Sequence, residues 1–460
     1  MGDGMSKART WGAALTAALM AAPAWAQEAA EDVNQGVAEV ATEAAPAVAD
    51  VMDKGDVAWM LVSTLLVLFM ILPGVALFYG GLVRAKNMLS VLMQCTVITA
   101  LVAVIWVFWG YSVAFGDRAS PFWGGTGKTF LNGVTVESMA ATFTAGVVIP
   151  EYLFSAFQMT FACITAALIV GAFAERIKFG SLMVFIALWV TIVYFPVAHM
   201  VWDSDGLIYN WGALDFAGGT VVHINAGIAG LVGAILIGRR VGYGRDNMAP
   251  HSMTLTLVGA AILWVGWFGF NAGSNLEANN GAALAMINTF TATAGAILAW
   301  VLIEMVLGRR PSLLGAASGM IAGLVAVTPA AGFAGPVGAI ALGAVASAAC
   351  YLFVAVVKHR LNYDDSLDVF GIHGVGGIVG ALGTAVVNDP SLGGVGYGGL
   401  AMGAQLVIQA QAVLLTIAYC GVVSAVLYLL VRALFGLRVR EEVEREGLDL
   451  ALHGERAYGT

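Results

Sequence analysis

Charge is what this chain has least of. Only 11% of its 460 residues are Asp, Glu, Lys or Arg, against roughly 25% in an ordinary soluble chain. So few ionic groups exclude the several soluble domains that the length alone would allow. Hydrophobic residues reach 60%, which marks a polytopic membrane protein. Cysteine is scarce as well. Cys95, Cys163, Cys350 and Cys420 all fall in apolar runs, and their spacing fits no zinc or haem-attachment motif. They read as small buried hydrophobes. The net charge of -8 sits mostly in the two polar ends, and nothing suggests nucleic acid. Glycine, by contrast, is abundant at 58 residues, as expected where helices approach closely through small side chains.

Residues 1–26 read as a cleaved signal peptide, with Lys7 and Arg9 before an apolar stretch and Ala24-Trp25-Ala26 as the cleavage site. Residues 27–55, rich in Ala, Glu, Asp and Val, read as a flexible acidic segment outside the cytoplasm. A membrane domain is expected over 56–435 and a tail over 436–460. A spanning helix needs about 20 apolar residues. Eleven such stretches centre on Leu66, Val102, Phe161, Ile186, Ala229, Leu263, Ile297, Ile321, Ala346, Val379 and Leu415. With the mature N-terminus outside the cytoplasmic membrane, the inward loops carry Arg84, Lys86, Arg176, Lys178, Arg239, Arg240, Arg245, Arg309, Arg310, Lys358 and Arg360. The outward loops carry only Arg118 and Lys128. Positive charge collects on the cytoplasmic side, so the reading is N-out and C-in.

One pattern occurs twice. His223-Ile-Asn-Ala-Gly227-Ile228-Ala-Gly230 and His373-Gly-Val-Gly-Gly377-Ile378-Val-Gly380 both fit H-x3-G-I-x-G, and Asp215 and Asp365 each precede their histidine by eight residues. Span five enters from outside and span ten from inside, so the repeats are antiparallel: two inverted five-helix halves plus a C-terminal helix. Inverted repeats place a substrate route at their interface. Each histidine is expected roughly 8–12 Å inside its own face, so the two can approach the middle of the bilayer. Alternatives stand beside this reading. Each histidine can be a satisfied core residue, or the pair can ligate haem, although the surrounding glycines argue for tight helix packing instead. Asp215 can cap span five or contact a cation directly. Aromatics cluster at the outer ends of the spans. Trp202 and Trp267 fit an interfacial belt, but Phe161 lies deeper. Phe270 precedes Ser274, whose hydroxyl adds to a plausible cation–π site.

The resemblance these segments carry is to bacterial ammonium transporters of the Amt (ammonium transporter/methylammonium permease/Rhesus) family. DFAGGTVVHINAGIAGLVGAILIGRR (215–240) agrees with the family signature throughout. FQMTFACIT (157–165), GWFGFNAGS (266–274), PSLLGAASGMIAGLVAVTPAAG (311–332), DVFGIHGVGGIVG (368–380) and GLRVREEVEREGLDLALHGERAY (436–458) also match. Trp202, in HMVWDSDG, favours the Amt branch. The resemblance implies an external ammonium site at Phe161, Trp202 and Ser274, and a gate of Phe161 and Phe270 beneath it. It implies a pore with His223, His373 and Trp267, and support for recruitment and deprotonation from Asp215. It further implies a homotrimer with one pore per subunit, a tail packed across subunits, and a PII-class regulatory partner. No cofactor or metal is implied.

The resulting expectation is selective uptake of ammonium or methylammonium. A bare cation at the bilayer centre costs several kcal/mol. Ammonium can leave its proton and cross as ammonia; potassium cannot. Two other classes are weighed against this. A sensor would report occupancy through the tail, and would want a fused signalling domain where the sequence has about 25 residues. A membrane enzyme would want a metal cluster or nucleophile near the histidines, where glycines stand.

Overall fold

The computed structural model describes residues 50–459. The expected signal peptide and nearly all of the acidic segment lie outside the described residues. Among the described residues, ten helices are long and apolar enough to cross a membrane. They are α1 (Lys54–Leu82), α2 (Ala85–Phe115), α3 (Glu151–Phe173), α4 (Phe179–Asn210), α5 (Gly219–Ile237), α6 (Met253–Asn275), α7 (Asn280–Val306), α9 (Pro336–Leu361), α10 (Phe370–Val387) and α11 (Met402–Phe435). Between α7 and α9 lies a shorter apolar helix, α8 (Leu313–Val327). Each of the eleven expected centres falls inside one of these helices.

The eighth stretch departs from expectation. Its helix has 15 residues, about 22 Å at 1.5 Å per residue, against a hydrocarbon core of about 30 Å. The cause is local. Pro329 follows the helix, and residues 328–334 turn. The Pro329 carbonyl accepts from the Phe216 N–H at 3.2 Å. Its ring fills the space beside Gly219, where a Cβ would lie 2.6 Å away. The shortened helix thus gives way to a turn that seats the start of α5.

A second departure lies at the start of the described residues. Val51–Met52 (β1) pairs in parallel with Val147–Pro150 (β3), which pairs antiparallel with Met139–Ala141 (β2). Asp53 then caps α1, accepting from the Gly55 N–H at 2.6 Å. Residues 51–55 therefore belong to the folded body, not to a flexible segment. The two sparse loop cations are both neutralised: Arg118 lies 3.3 Å from Asp203, and Lys128 pairs with Glu151.

The duplicated motifs meet face to face. A Cβ on Gly227 would overlap Gly374 and stand 3.3 Å from the His373 carbonyl carbon. A Cβ on Gly377 would stand 3.1 Å from the His223 Cβ and 3.0 Å from Ile224. Numbering rises along one helix as it falls along the other, so α5 and α10 cross antiparallel, each glycine on the other's histidine turn. The repeat extends to the backbone. Gly218 and Asp368, each five residues before its histidine, have φ of 114° and 59°, a region tolerated by Gly and by Asp. Each histidine then sits in a wide π-helical turn, Gly219–Ile224 or Phe370–Gly374, a geometry frequent at functional sites.

On the face that carries the tail, the loops are locked by buried charge. Arg240 pairs with Asp364 at 2.8 Å and with Glu175 at 3.3 Å, and Glu175 also holds Arg84 at 2.8 Å. Burial alone would raise the Glu175 carboxyl; Arg240 and Arg84 outweigh it and hold the group below the usual range. Asp364 is likewise held down, against its burial, by Arg240 and Arg176. The tail, with its short helix α12 (Glu441–Glu446), folds onto loops of its own chain. Glu444 accepts from Arg438 at 2.7 Å and from the Val241 N–H at 2.6 Å. Asp449 accepts from Leu89 and Ser90 N–H at 3.0 and 2.8 Å.

Candidate functional site

The antiparallel crossing of α5 and α10 puts the two imidazoles side by side. Their Nδ1 atoms are 3.2 Å apart, with ring centroids at 5.3 Å and planes within 16°. In such a contact one Nδ1 donates and the other accepts, so the pair shares a single proton across that gap. The remaining ring nitrogens then differ: one Nε2 is bare and the other carries hydrogen. His223 Nε2 is buried and has no protein partner. Protein contacts therefore satisfy the His223 ring on one side only, unlike those of a fully bonded core histidine. The spacing also leaves no room for a haem between the rings.

A column of rings continues from this pair. Trp267 lies against His223 at 5.4 Å and 17°. Its indole N–H donates to Thr328 Oγ1 at 2.9 Å, which fixes the ring plane. Phe270, one turn on in α6, stands 6.0 Å from His223 and stacks on Phe161 of α3 at 4.3 Å. Trp202, at the end of α4's long apolar run, meets Phe161 edge-on at 5.7 Å and 88°. Phe157 adds a further ring 4.9 Å from Phe161. Phe161 and Phe270 are 1% and 0% exposed, so the stacked pair is closed to solvent. Ser274, one turn beyond Phe270, donates its hydroxyl to the Phe270 carbonyl at 2.7 Å. Among the described residues its oxygen accepts no hydrogen bond.

Asp215 holds this assembly from behind. Its carboxylate accepts four backbone N–H groups, from Gly218, Gly219, Thr220 and Val221, at 2.6–3.2 Å. Its carbonyl accepts the Trp202 indole N–H at 3.0 Å. Of the two roles left open by sequence, the geometry is that of a cap: the carboxylate is spent on the start of α5 and orients Trp202 at the same time. Asp365 does the matching task for α10, accepting from Val369 and Phe370 at 3.0 and 2.8 Å. Burial and the neighbouring Asp368 raise its carboxyl to about 6, against the pull of Lys358 and those two N–H groups.

All eight residues singled out from sequence thus fall in or directly behind one column. The structure adds residues that sequence reading left out. Beyond His373 a cavity of about 180 Å³ opens toward the tail face, lined by Phe78, Tyr79, Ile321, Ser366 and Asp368 among others. Thr328 belongs to the column too, and only its place in the quoted 311–332 segment pointed that way. Among the described residues no cluster of His, Cys, Asp or Glu could hold a metal ion.

The model of the Ammonium Transporter Family matches residues 58–458. The chain belongs to this family. An ammonium transporter of Aquifex aeolicus is 50% identical over 411 residues, covering 88% of this chain and 94% of the relative. One from Bacillus subtilis is 45% identical, covering 88% and 99%. Among solved structures, a sensor Amt protein matches with a TM-score of 0.80 at 27% identity, over 87% of this chain and 98% of that one. Saccharomyces cerevisiae Mep2 matches with 0.75 at 34% identity, over 85% and 88%. This ammonium transporter family chain is thus a multi-pass membrane protein on two grounds, its relatives and its ten long apolar helices.

The expectation of a cation site on Trp202, Phe161 and Ser274 can be measured. Trp202→Leu and Ser274→Ala are expected to raise the ammonium concentration for half-maximal uptake by about three- to tenfold each, at about 0.5–2 kcal/mol per contact, with maximal flux less affected. An unchanged concentration dependence in both variants would place recruitment elsewhere.

Proposed function

We propose that the protein takes up ammonium selectively across the cytoplasmic membrane and is not an enzyme. The observation that supports this best is the unbroken ring column from Trp202 to the histidine pair, in which no carboxylate offers a free oxygen. Ammonium is recruited by the π-faces of Trp202 and Phe161 and by the Ser274 oxygen. Below the Phe161–Phe270 stack the passage is apolar, and a desolvated cation is costly there. Ammonium resolves this by giving up a proton. An N–H bond of ammonium breaks and the proton goes to a base, a role His223 Nε2 can take in the tautomer whose Nδ1 donates to His373. When His223 then passes its Nδ1 proton to His373, charge moves one ring further while ammonia follows as a neutral molecule. Potassium has no proton to give and stops at the gate.

The test is uptake into proteoliposomes of purified protein, ammonium or methylammonium against potassium. Ammonium flux at least about a hundredfold above potassium flux is expected; comparable fluxes would defeat the deprotonation reading. His373→Glu is expected to narrow the ratio, because a fixed negative charge offsets the cost of the bare ion. A sensor is the second reading, favoured by the match to a sensor Amt protein and by the tail's bonding to the loops. The same assay separates the two, since a pure sensor gives no flux.

We read the assembly as a homotrimer, N-out and C-in, with the docked tails forming a platform for a PII-class protein. Charge asymmetry of the loops and the resemblance support this. A solubilised mass of three chains, and retention on an immobilised PII trimer that is lost when residues after Arg438 are removed, are the expected results.

A further inference from the structure

A second cavity, of about 620 Å³, lies away from the ring column, between the tail and the start of α4. Lys178, Arg440 and His453 supply its polar wall, and Phe179, Val443 and Leu452 much of its apolar one. Two observations fix its level relative to the bilayer. Phe179 opens the helical run of α4, and Lys178 Nζ donates to the carbonyl of Phe435, the last residue of α11, at 2.9 Å. Leu434 and Phe435 beside it are 63% and 54% exposed, as lipid-facing residues are at the end of a span.

The cations here are the ones the tail leaves over. Arg438 and Arg445 are paired with Glu444 and Glu441 at 2.7 and 2.8 Å. Arg440, by contrast, has no ion pair or side-chain hydrogen bond among the described residues, and Lys178 has only a carbonyl. The His453 Nε2 is buried without a partner, while its ring is held edge-on to Phe179 at 5.6 Å and 89°. Two cationic side chains, Lys178 and Arg440, and the His453 ring thus line one cavity with apolar walls, where spans leave the bilayer. A soluble anion would use the charges and leave the apolar wall exposed to water. A second copy of the chain would need to bring its own acidic group.

We propose that this cavity binds the phosphate-bearing headgroup of an anionic phospholipid, with its acyl chains lying along Leu434 and Phe435. Basic pockets at the ends of spanning helices bind such headgroups. Because Arg440 and His453 belong to the tail, a bound lipid pins the tail to the membrane. It also makes tail docking depend on the charge of the surrounding lipid.

The experiment is native mass spectrometry of the full-length protein in neutral detergent, titrated with phosphatidylglycerol or phosphatidylcholine. Wild type is expected to retain phosphatidylglycerol preferentially. Lys178→Gln with Arg440→Gln is expected to bind it about 10- to 30-fold more weakly, with phosphatidylcholine binding and assembly mass unchanged. Should that double variant fail to assemble, His453→Phe, which keeps the packing on Phe179, still reads the site through a loss of about two- to fivefold. Equal phosphatidylglycerol binding by wild type and variants overturns the proposal. So does displacement of the lipid by inorganic phosphate at equal concentration, which would make the site one for soluble anions. Cross-linking of a Gly180→Cys variant to a second copy would make it a subunit interface.

Discussion

Asp215→Ala is expected to abolish ammonium uptake in the proteoliposome assay. The four N–H groups that its carboxylate satisfies open α5 directly ahead of His223, and the residue is only 8% exposed. Each buried donor left without a partner costs about 1–3 kcal/mol. Four of them approach the whole stability of a typical domain, about 5–15 kcal/mol. A negative charge at a helix N-terminus is also favourable in its own right. Alanine removes charge and cap together, and unseats Trp202 by loosening the carbonyl that holds its indole. Asp215→Glu keeps both chemistries at the wrong reach and should retain part of the uptake. Asp215→Asn keeps one acceptor oxygen for at most two of the four donors, and should assemble with uptake reduced about tenfold or more. Normal uptake by the alanine variant, in protein of wild-type assembly mass, would show that the cap is replaceable.

That prediction rests on a feature half visible in the sequence. The eight-residue interval from Asp215 to His223 recurs at Asp365 and His373, and the repeat foretold an antiparallel crossing. The crossing follows because glycines four residues past each histidine admit the other helix's backbone. What the interval could not tell was whether the carboxylate faced a cation or the backbone. That depends on a wide first turn of α5, which aims several consecutive N–H groups at one side chain. The ring column was legible mainly through the family resemblance, since the residues alone left Trp202 and Trp267 as interfacial anchors; Trp267, Phe270 and Ser274 do recur at three and four residues along α6, a spacing that shares a face. Thr328 was not legible. It acts through a hydrogen bond to Trp267 across 61 residues of chain, and no local pattern marks a threonine as a partner. The short α8 was missed because its composition stays apolar through Pro329 and the alanines that follow, while only the backbone turns. The tail contacts of Asp449 with Leu89 and Ser90 span about 360 residues and leave no trace in periodicity.

Arg240→Ala is expected to remove most of the folded protein from the membrane, the second large effect. The guanidinium makes three contacts with two carboxylates: its Nε and Nη2 bond Asp364 at 2.9 and 2.8 Å and its Nη1 reaches Glu175 at 3.3 Å, while the backbone N–H, which alanine keeps, adds a bond to Asp364 at 2.8 Å. Both carboxylate side chains are fully buried. Removing one partner of such a set costs about 3–5 kcal/mol, because it strands the other charge. Lysine does not restore a fork of donors, so Arg240→Lys should recover little. The pH dependence separates this from simple loss of packing. In the wild type Glu175 and Asp364 titrate below their ordinary values, near 4.3 and 3.9 when unfolded. Their stabilisation is therefore complete above that range and is lost as pH falls through the lower folded values. In the variant burial acts with its chief opponent gone, both folded values rise, and acid ceases to be destabilising through these groups. Thermal unfolding in detergent should show a wide gap between wild type and Arg240→Ala at pH 7 that narrows progressively toward pH 4. A gap of the same width at both pH values would mean that Arg240 contributes its bulk and not its charge.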